Sequence, residues 1–120
     1  MFVTINDSVF KVKVCNSPSE KAEGMMRKKF TDFDGMLFLM DGEFQCFHMK
    51  NCIIPLDIIL IDGNLKIGGI FEDCPPCKSE ENCLQYCGDA SYVLEIDGGL
   101  CKTLNINEGD RCIFTFDISE

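Results

Sequence analysis

The N-terminal part of the chain alternates between apolar and polar side chains, which is the pattern of half-buried β-strands. Phe2–Ile5 and Val9–Val14 both show it, and the polar residues Asn6-Asp7-Ser8 lie between them. Successive residues of a strand point to opposite faces, so each segment can bury one face and expose the other. We therefore predict a β-hairpin at the start of the chain.

The next segment carries the signals of a helix N-terminus. Ser17 can cap the helix, Pro18 suits its first position, and Glu20 completes a capping box. The helix is expected to run to about Lys28, although Gly24 weakens it by roughly 1 kcal/mol relative to alanine. We expect another group to pack closely against that glycine. The helix residues expected to be buried are Ala22, Met25 and Met26.

The rest of the chain contains short apolar runs separated by turn residues, which again predicts strands. Met36–Met40 is continuously apolar and is expected to be covered on both faces. Asp62-Gly63-Asn64 predicts a tight hairpin turn, whereas Glu72–Ala90 is interpreted as a long loop that contains cysteine and proline. Further strands are predicted at Phe44–Met49, Ile58–Ile61, Leu65–Phe71, Tyr92–Ile96 and Cys112–Phe116, with a short helix at Gly98–Leu104.

About eight short strands and two short helices indicate the α+β class. We expect a small antiparallel, barrel-like sheet with one capped helix and one short C-terminal helix. The 120 residues are enough for one hydrophobic core, and they contain no linker, repeat or low-complexity segment. Residues 1–120 are therefore expected to form a single domain.

The charge balance narrows the classes of partner. Lys and Arg number 11 against 20 Asp and Glu, which gives a net charge of −9. This charge repels phosphate backbones and anionic lipid headgroups, so we expect neither a nucleic-acid partner nor a membrane partner. No apolar run approaches the roughly 18 residues that a membrane span needs. The expected partner is therefore another protein or a small polar ligand.

Cysteine usage and the N-terminal pattern bear on the cellular compartment. The chain has nine cysteines, an odd number, so at least one thiol stays unpaired within a monomer. The first segment lacks the charged and apolar regions of a secretory signal, and we therefore expect a cytoplasmic protein. In that compartment dense cysteine indicates free buried thiols or metal ligation before disulfides. Cys15, Cys101 and Cys112 lie in apolar patterns and are expected to be small core residues.

The most specific sequence is FHMKNCIIPLDIILID at residues 47–62, where a polar triplet, a proline turn and a single acid separate two apolar runs. Lys50 and Asp57 end adjoining segments of one predicted hairpin, so their side chains can face each other across its mouth. Asn51 can hydrogen-bond loop amides and fix the turn. The mouths of β-barrels commonly hold ligand sites. The candidate ligand-binding residues are Met49, Lys50, Asn51, Pro55 and Asp57.

Four cysteines lie close together in the predicted loop with the spacing C-x2-C-x5-C-x3-C. They are Cys74, Cys77, Cys83 and Cys87. Tetrahedral zinc takes four thiolates, and a C-x2-C turn supplies two of them. The two prolines of the first pair remove N–H donors that such turns direct at sulfur, so zinc, disulfides and free thiols all stay open. A zinc ion with four thiolate ligands has no open position for catalysis and would be structural.

Two other uses of cysteine have less support in the sequence. Thiol–disulfide exchange needs a depressed thiol pKa, whereas the carboxylates that precede Cys74 raise the pKa of its thiol.

Cys46 and His48 point to one face of a strand and, with Cys52, could bind a metal ion. His48 is the only histidine, however, and packing is its expected role. No hydrolase constellation of Ser, His and Asp or of Cys and His is legible.

The order of these motifs resembles the uncharacterised family known as domain of unknown function 192. The resemblance rests on GMLFLM, FHMKNCIIPLDIILID, a hairpin, PPC with a second cysteine six residues on, YVLEIDGG and INEGD, and it covers nearly the whole chain. Family members typically carry Trp at the position of His48 and Thr at that of Cys52. Many are bacterial and exported, and similar short versions occur in phages. The resemblance implies the fold, no agreed activity and, as in exported relatives, a disulfide between Cys77 and Cys83.

We therefore expect a non-enzymatic binding or accessory module with a polar site at the barrel mouth, in a phage or bacterial setting. The alternative is an enzyme for a small polar substrate, with Asp57 as general acid/base and Lys50 as electrostatic stabiliser. A lesser alternative is a structural zinc or thiol module in residues 74–87. The surroundings of Asp57 distinguish the binding module from the enzyme. A desolvated acid that faces a cavity favours catalysis, whereas an acid whose oxygens accept from loop amides favours a closed hairpin.

Overall fold

The computed structural model describes residues 1–116, which form nine strands and two short helices. In chain order they are β1 (Phe2–Ile5), β2 (Ser8–Cys15), α1 (Pro18–Glu23), β3 (Gly35–Leu39), β4 (Phe44–His48), β5 (Leu56–Ile61), β6 (Ile67–Cys74), β7 (Gln85–Asp89), β8 (Tyr92–Asp97), α2 (Leu100–Thr103) and β9 (Cys112–Thr115). The predicted α+β class is confirmed. Among these residues no helix is both long and apolar enough to cross a membrane.

Seven strands form one curled sheet in the order β6-β5-β8-β3-β2-β1-β9. Its two edges approach each other, because Lys66 and Arg111 form an antiparallel bridge and the Cys112 N–H donates to the carbonyl of Leu65 at 2.7 Å. The barrel-like sheet is thus confirmed. The expectation of a purely antiparallel sheet is wrong, because β2 and β3 are parallel. The chain between them includes α1 and crosses over, so both strands run in the same direction.

Helix α1 begins as the sequence predicts but ends sooner. The Glu20 N–H donates to Ser17 Oγ at 3.2 Å, and the Ser17 N–H donates to Glu20 Oε1 at 3.0 Å, so the capping box is formed. The helix ends at Glu23 rather than near Lys28, since Gly24 adopts a φ of 46°. Of the residues expected to be buried, Met25 is buried, whereas Met26 is half-buried and Ala22 is exposed. A Cβ atom on Gly24 would lie 3.2 Å from the Phe38 ring, which is the expected close packing partner.

The stretch predicted as a loop at Glu72–Ala90 contains regular structure. Strand β6 extends to Cys74, and β7 pairs with β4 in a separate two-stranded antiparallel sheet, the β4–β7 ribbon. Hydropathy does not reveal β7, because its sequence QYCGD has no alternation of apolar and polar residues. The ribbon lies on the large sheet at Gly88, where an added Cβ would come within 2.5 Å of Leu60 Cδ1.

The large sheet separates two groups of buried side chains. The first core lies on the face covered by α2, and the second core lies on the face covered by the β4–β7 ribbon and the turn after α1. Strand β8 supplies both, since Leu94 and Ile96 belong to the first core and Val93 to the second. By alternation Glu95 points to the second face, in the middle of the sheet.

Candidate functional site

Asp57 is a fully buried acid that joins three segments of the chain. Its Oδ1 accepts hydrogen bonds from the N–H groups of Asp73 at 2.7 Å and Gly99 at 3.0 Å. Its Oδ2 accepts from the Cys101 N–H at 2.8 Å, and the residue is 0% exposed. Three backbone donors satisfy the carboxylate, which therefore anchors the end of β6 and the turn between β8 and α2. Asp57 has the surroundings of a structural residue.

Lys50 and Asp57 lie on different faces of the large sheet. Along β5 the side chains alternate, so Asp57 points with Ile59 to the first core and Ile58 points to the second. Lys50 follows β4 and lines a cavity on the second face. Among residues 1–116 no hydrogen bond or ion pair joins the two side chains. The single polar site expected around Pro55 is therefore not formed, because Lys50 and Asp57 lie apart on the two faces of the sheet.

The other members of the expected site hold the loops through their backbones. Met49 is buried in the second core, and its carbonyl accepts from the Cys77 N–H at 3.1 Å. Asn51 has a φ of 62°, a conformation that asparagine tolerates, and its N–H donates to the Cys77 carbonyl at 2.7 Å. Pro55 is exposed, and its carbonyl accepts from the Gly98 N–H at 3.0 Å. These backbone contacts define a turn, and the predicted ligand contacts of these residues stay a prediction.

The four loop cysteines do not come together. Cys77 is bonded to Cys83, which is the disulfide that the family resemblance implies, and Cys87 is bonded across the β4–β7 ribbon to Cys46. Cys74 is a free thiol buried in the second core. The structure gives no support to a zinc ion held by the four thiols, because three of them are consumed in disulfides. Two disulfides also argue against a reducing cytoplasm.

The third cysteine grouping does not form a metal site either. Cys46 is in a disulfide, Cys52 is a free thiol, and His48 is exposed with Nδ1 accepting from the Lys50 N–H at 3.2 Å. Throughout the described part of the chain, no cluster of three or more His, Cys, Asp or Glu side chains could hold a metal ion. Cys15, Cys101 and Cys112 are buried, as expected for small core residues.

A cavity of about 290 Å³ opens on the second face of the sheet, between α1, the β4–β7 ribbon and the central strands. Apolar side chains form much of its wall, and polar and charged ones lie among them. The apolar lining residues include Ala22, Met25, Phe38, Met40 and Phe47, and the polar ones include Lys21, Glu23, Gln45, His48, Lys50 and Glu95.

Glu95 is the chemically unusual residue of this cavity. It lies on β8 opposite Met36 of β3 and Ile58 of β5, and it is only 5% exposed. No hydrogen bond or ion pair from residues 1–116 reaches its carboxylate. Burial raises the pKa of Glu95 from its ordinary value of 4.5 to about 8. The carboxyl group of Glu95 therefore meets the cavity and not another side chain of the described protein.

The thiols near the cavity have raised pKa values. Burial, assisted by the negative charge of Glu95, raises the pKa of Cys15, Cys52 and Cys74 to about 11 each. Thiols of this kind are mostly protonated at neutral pH, and the thiolate is the nucleophilic form.

Sequence reasoning missed Glu95, although a signal was present. Tyr92–Ile96 was predicted as a strand, and Glu95 is the single acid within that apolar segment. Both faces of the sheet carry a core at β8, so an acid in the middle of this strand is buried whichever face it points to. The motif YVLEIDGG therefore contained the acid of the cavity, whereas the more conspicuous Asp57 has only a structural environment.

The protein is a small α+β domain with a curled seven-stranded sheet and a cavity of about 290 Å³ on one face of that sheet. The family model DUF192, described as "Uncharacterized ACR", matches residues 1–114. The chain belongs to this family, as the order of its motifs predicts. A comparison with curated proteins finds no match.

Two solved structures are similar to the chain. A protein of unknown function from Novosphingobium aromaticivorans is 32% identical with a TM-score of 0.79, over 94% of this chain and 84% of that chain. A protein from Sinorhizobium meliloti, named as a candidate transcription regulator, is 27% identical with a TM-score of 0.79, over 93% of this chain and 91% of that chain. These similarities support the fold and leave the biochemical function open.

Proposed function

We propose that this protein is a non-enzymatic module that binds a small molecule in the cavity lined by Glu95. The observation that carries the proposal is the buried carboxyl group, which has no partner within the described protein. The carboxyl group lines the cavity, so its oxygens are accessible to a molecule that enters there. A ligand that contacts Glu95 supplies a hydrogen-bond or ionic partner that residues 1–116 do not provide.

The dimensions and lining of the cavity fit this role. Its volume of about 290 Å³ lies just below the range of roughly 300–1,000 Å³ that is typical of small-molecule sites, so a ligand of only a few heavy atoms fits. Phe38 and Phe47 offer apolar surface, and Lys50 and Gln45 offer polar contacts. Lys50 thus keeps its proposed contact with the ligand, whereas the acid of the site is Glu95 and not Asp57.

One observation favours a second candidate function, an enzyme that uses Glu95 as general acid/base. The pKa of Glu95, raised by burial to about 8, lies close to neutral pH, where such catalysis is most effective. Lys50 lines the same cavity and would stabilise negative charge. We favour binding because no hydrogen bond or ion pair within residues 1–116 positions the Glu95 carboxyl group for proton transfer.

The compartment proposed for this activity is an oxidising one. Two disulfides among residues 1–116 are typical of proteins outside the reducing cytoplasm. The relative from Sinorhizobium meliloti is named as a regulator of transcription, but a net charge of −9 disfavours contact with a nucleic acid. A small ligand is therefore the partner that we propose.

The proposal is tested by NMR titration of the 15N-labelled protein with a library of cationic, neutral and anionic fragments. We expect saturable shifts of amides that line the cavity. The variant Ala22→Leu adds an apolar side chain to the cavity wall without changing charge and should lose these shifts. Thr103→Leu makes a comparable change on the exposed surface of α2 and should keep them. Equal binding by the Ala22→Leu protein, or no cavity shifts with any fragment, would refute the proposal.

A further inference from the structure

We propose that the ligand of this cavity carries a protonated amine, which forms an ion pair with the Glu95 carboxylate. This inference rests on the proposed function, because it specifies the ligand of the same site. It assigns to Glu95 the role of the group that recognises the ligand and to the apolar wall the role of surrounding the ligand's hydrocarbon part.

The first argument is the missing positive charge. Lys21 and Lys50 line the cavity, but neither forms an ion pair with Glu95. Lys28, the other lysine of this region, is bound to Glu23 and to the Gly24 carbonyl. A carboxylate in a buried environment is stabilised strongly by a cation in direct contact. Since the described protein does not provide that cation, an ammonium group on the ligand is its natural complement.

The second argument concerns the wall beside the acid. The Phe38 and Phe47 rings pack edge to face at 5.8 Å, and both line the cavity together with Met25 and Met40. Aromatic faces attract cations, and apolar side chains contact a short hydrocarbon chain. The net charge of −9 also raises the local concentration of cations around the molecule. An alkylammonium ion therefore suits this cavity. Its hydrocarbon chain can contact the apolar wall, and its positive charge is attracted by Glu95 and by the net negative charge of the protein.

The inference predicts how binding depends on pH. Charged or titratable groups surround Glu95 on several elements. They are Lys21 and Glu23 of α1, Lys28 after it, His48 at the end of β4, Lys50 and Cys52 after β4, Cys15 of β2 and Cys74 of β6. Burial keeps these thiols protonated by raising their pKa to about 11. Glu95, with its pKa raised by burial to about 8, is mostly protonated at pH 7 and mostly ionised at pH 9.

An ammonium ion binds the ionised form of Glu95, so its affinity should rise about tenfold between pH 7 and pH 9. An alkylammonium ion itself remains largely protonated over this range, because its pKa is close to that of lysine, about 10.4. A neutral hydrogen-bond acceptor would bind the protonated form of Glu95 instead. Its affinity would fall over the same range, so the two ligand classes give pH dependences of opposite sign.

The experiment compares three four-carbon compounds by NMR titration at both pH values: n-butylammonium chloride, butyramide and sodium butyrate. We expect n-butylammonium to bind best and to bind about tenfold more tightly at pH 9. Glu95→Gln should abolish this binding and its pH dependence. Glu108→Gln, which removes an exposed carboxylate in the turn before β9, should preserve both the binding and its pH dependence.

The results separate this inference from the proposed function. Cavity shifts with butyramide or butyrate but not with n-butylammonium would overturn the ammonium assignment and leave a small-molecule site in place. Binding of butyrate through Lys21 and Lys50 is the specific competing result. Absence of cavity shifts with all three compounds also overturns the assignment, and the fragment library then decides the proposed function. If Glu95→Gln does not fold, the sign of the pH dependence in the wild type still decides the question.

Discussion

Glu95→Gln should stabilise the protein at alkaline pH, because it removes a buried group that ionises without a protein partner. Glutamine has nearly the same shape as the protonated glutamic acid and cannot ionise. The pKa of Glu95 is raised by burial from 4.5 to about 8 in the folded protein. Each unit of pKa corresponds to about 1.4 kcal/mol. The ionised wild type is therefore less stable than the protonated wild type by about 5 kcal/mol, an order-of-magnitude value.

The direction of the effect follows from proton binding. Below pH 4.5 Glu95 is protonated in both the folded and the unfolded chain, so its raised pKa has no effect on stability. Between pH 4.5 and about 8 the unfolded chain loses this proton while the folded protein keeps it, so the wild type loses stability as pH rises. Above about pH 8 the loss is complete. The advantage of Glu95→Gln should grow over this interval and then level off.

Equilibrium urea unfolding without reductant, at pH 4, 6, 7.5 and 9, measures this difference in the free energy of unfolding. Glu108→Gln serves as the control, because it neutralises an exposed carboxylate and should shift stability by no more than about 0.5 kcal/mol at each pH. A difference between wild type and Glu95→Gln that does not change with pH would refute the reasoning. It would mean that the carboxyl group is solvated or paired in solution.

Two further predictions concern the framework around the site. Asp57→Ala leaves one buried and two partly buried N–H donors without an acceptor, at about 1–2 kcal/mol each, and should lower the free energy of urea unfolding by about 3–6 kcal/mol. A loss as small as that of the exposed Asp97→Ala would contradict the anchoring role. Replacing both Cys46 and Cys87 by serine should cost about 4 kcal/mol in the same assay, because their disulfide spans 41 residues. The Cys77–Cys83 disulfide spans only 6 residues, so its removal should cost less. A larger loss of stability on removing Cys77–Cys83 than on removing Cys46–Cys87 would contradict this reasoning.

The parts of the fold that follow from local chemistry could be predicted from the sequence. The hairpin of β1 and β2 rests on alternation, and the start of α1 rests on the capping box of Ser17 and Glu20. Such signals involve residues that are close in sequence and need no knowledge of the rest of the chain. The parallel pairing of β2 with β3 depends instead on where the crossover places the second strand, which no local pattern specifies.

The site was harder to predict for a related reason. Asp57 and Lys50 stand near each other in the sequence, but side-chain alternation and the position of β5 place them on different faces of the sheet. Glu95 becomes important only when β8 is known to be central, with β3 on one side and β5 on the other. Strand β7 lacks an apolar pattern, and its place is defined by pairing with β4. The pairing of strands that are distant in the sequence therefore places Asp57 among loop amides and Glu95 in the wall of the cavity.

The sheet separates the hydrogen bonds that Asp57 accepts from the cavity that Glu95 lines. Asp57 and its three N–H donors lie on the first face, and Glu95, Phe38 and Phe47 lie on the second. Substitutions in the cavity wall therefore leave the hydrogen bonds on the opposite face in place. Under the proposed function, the two faces are free to diverge independently in sequence, with stability set on one and ligand preference on the other.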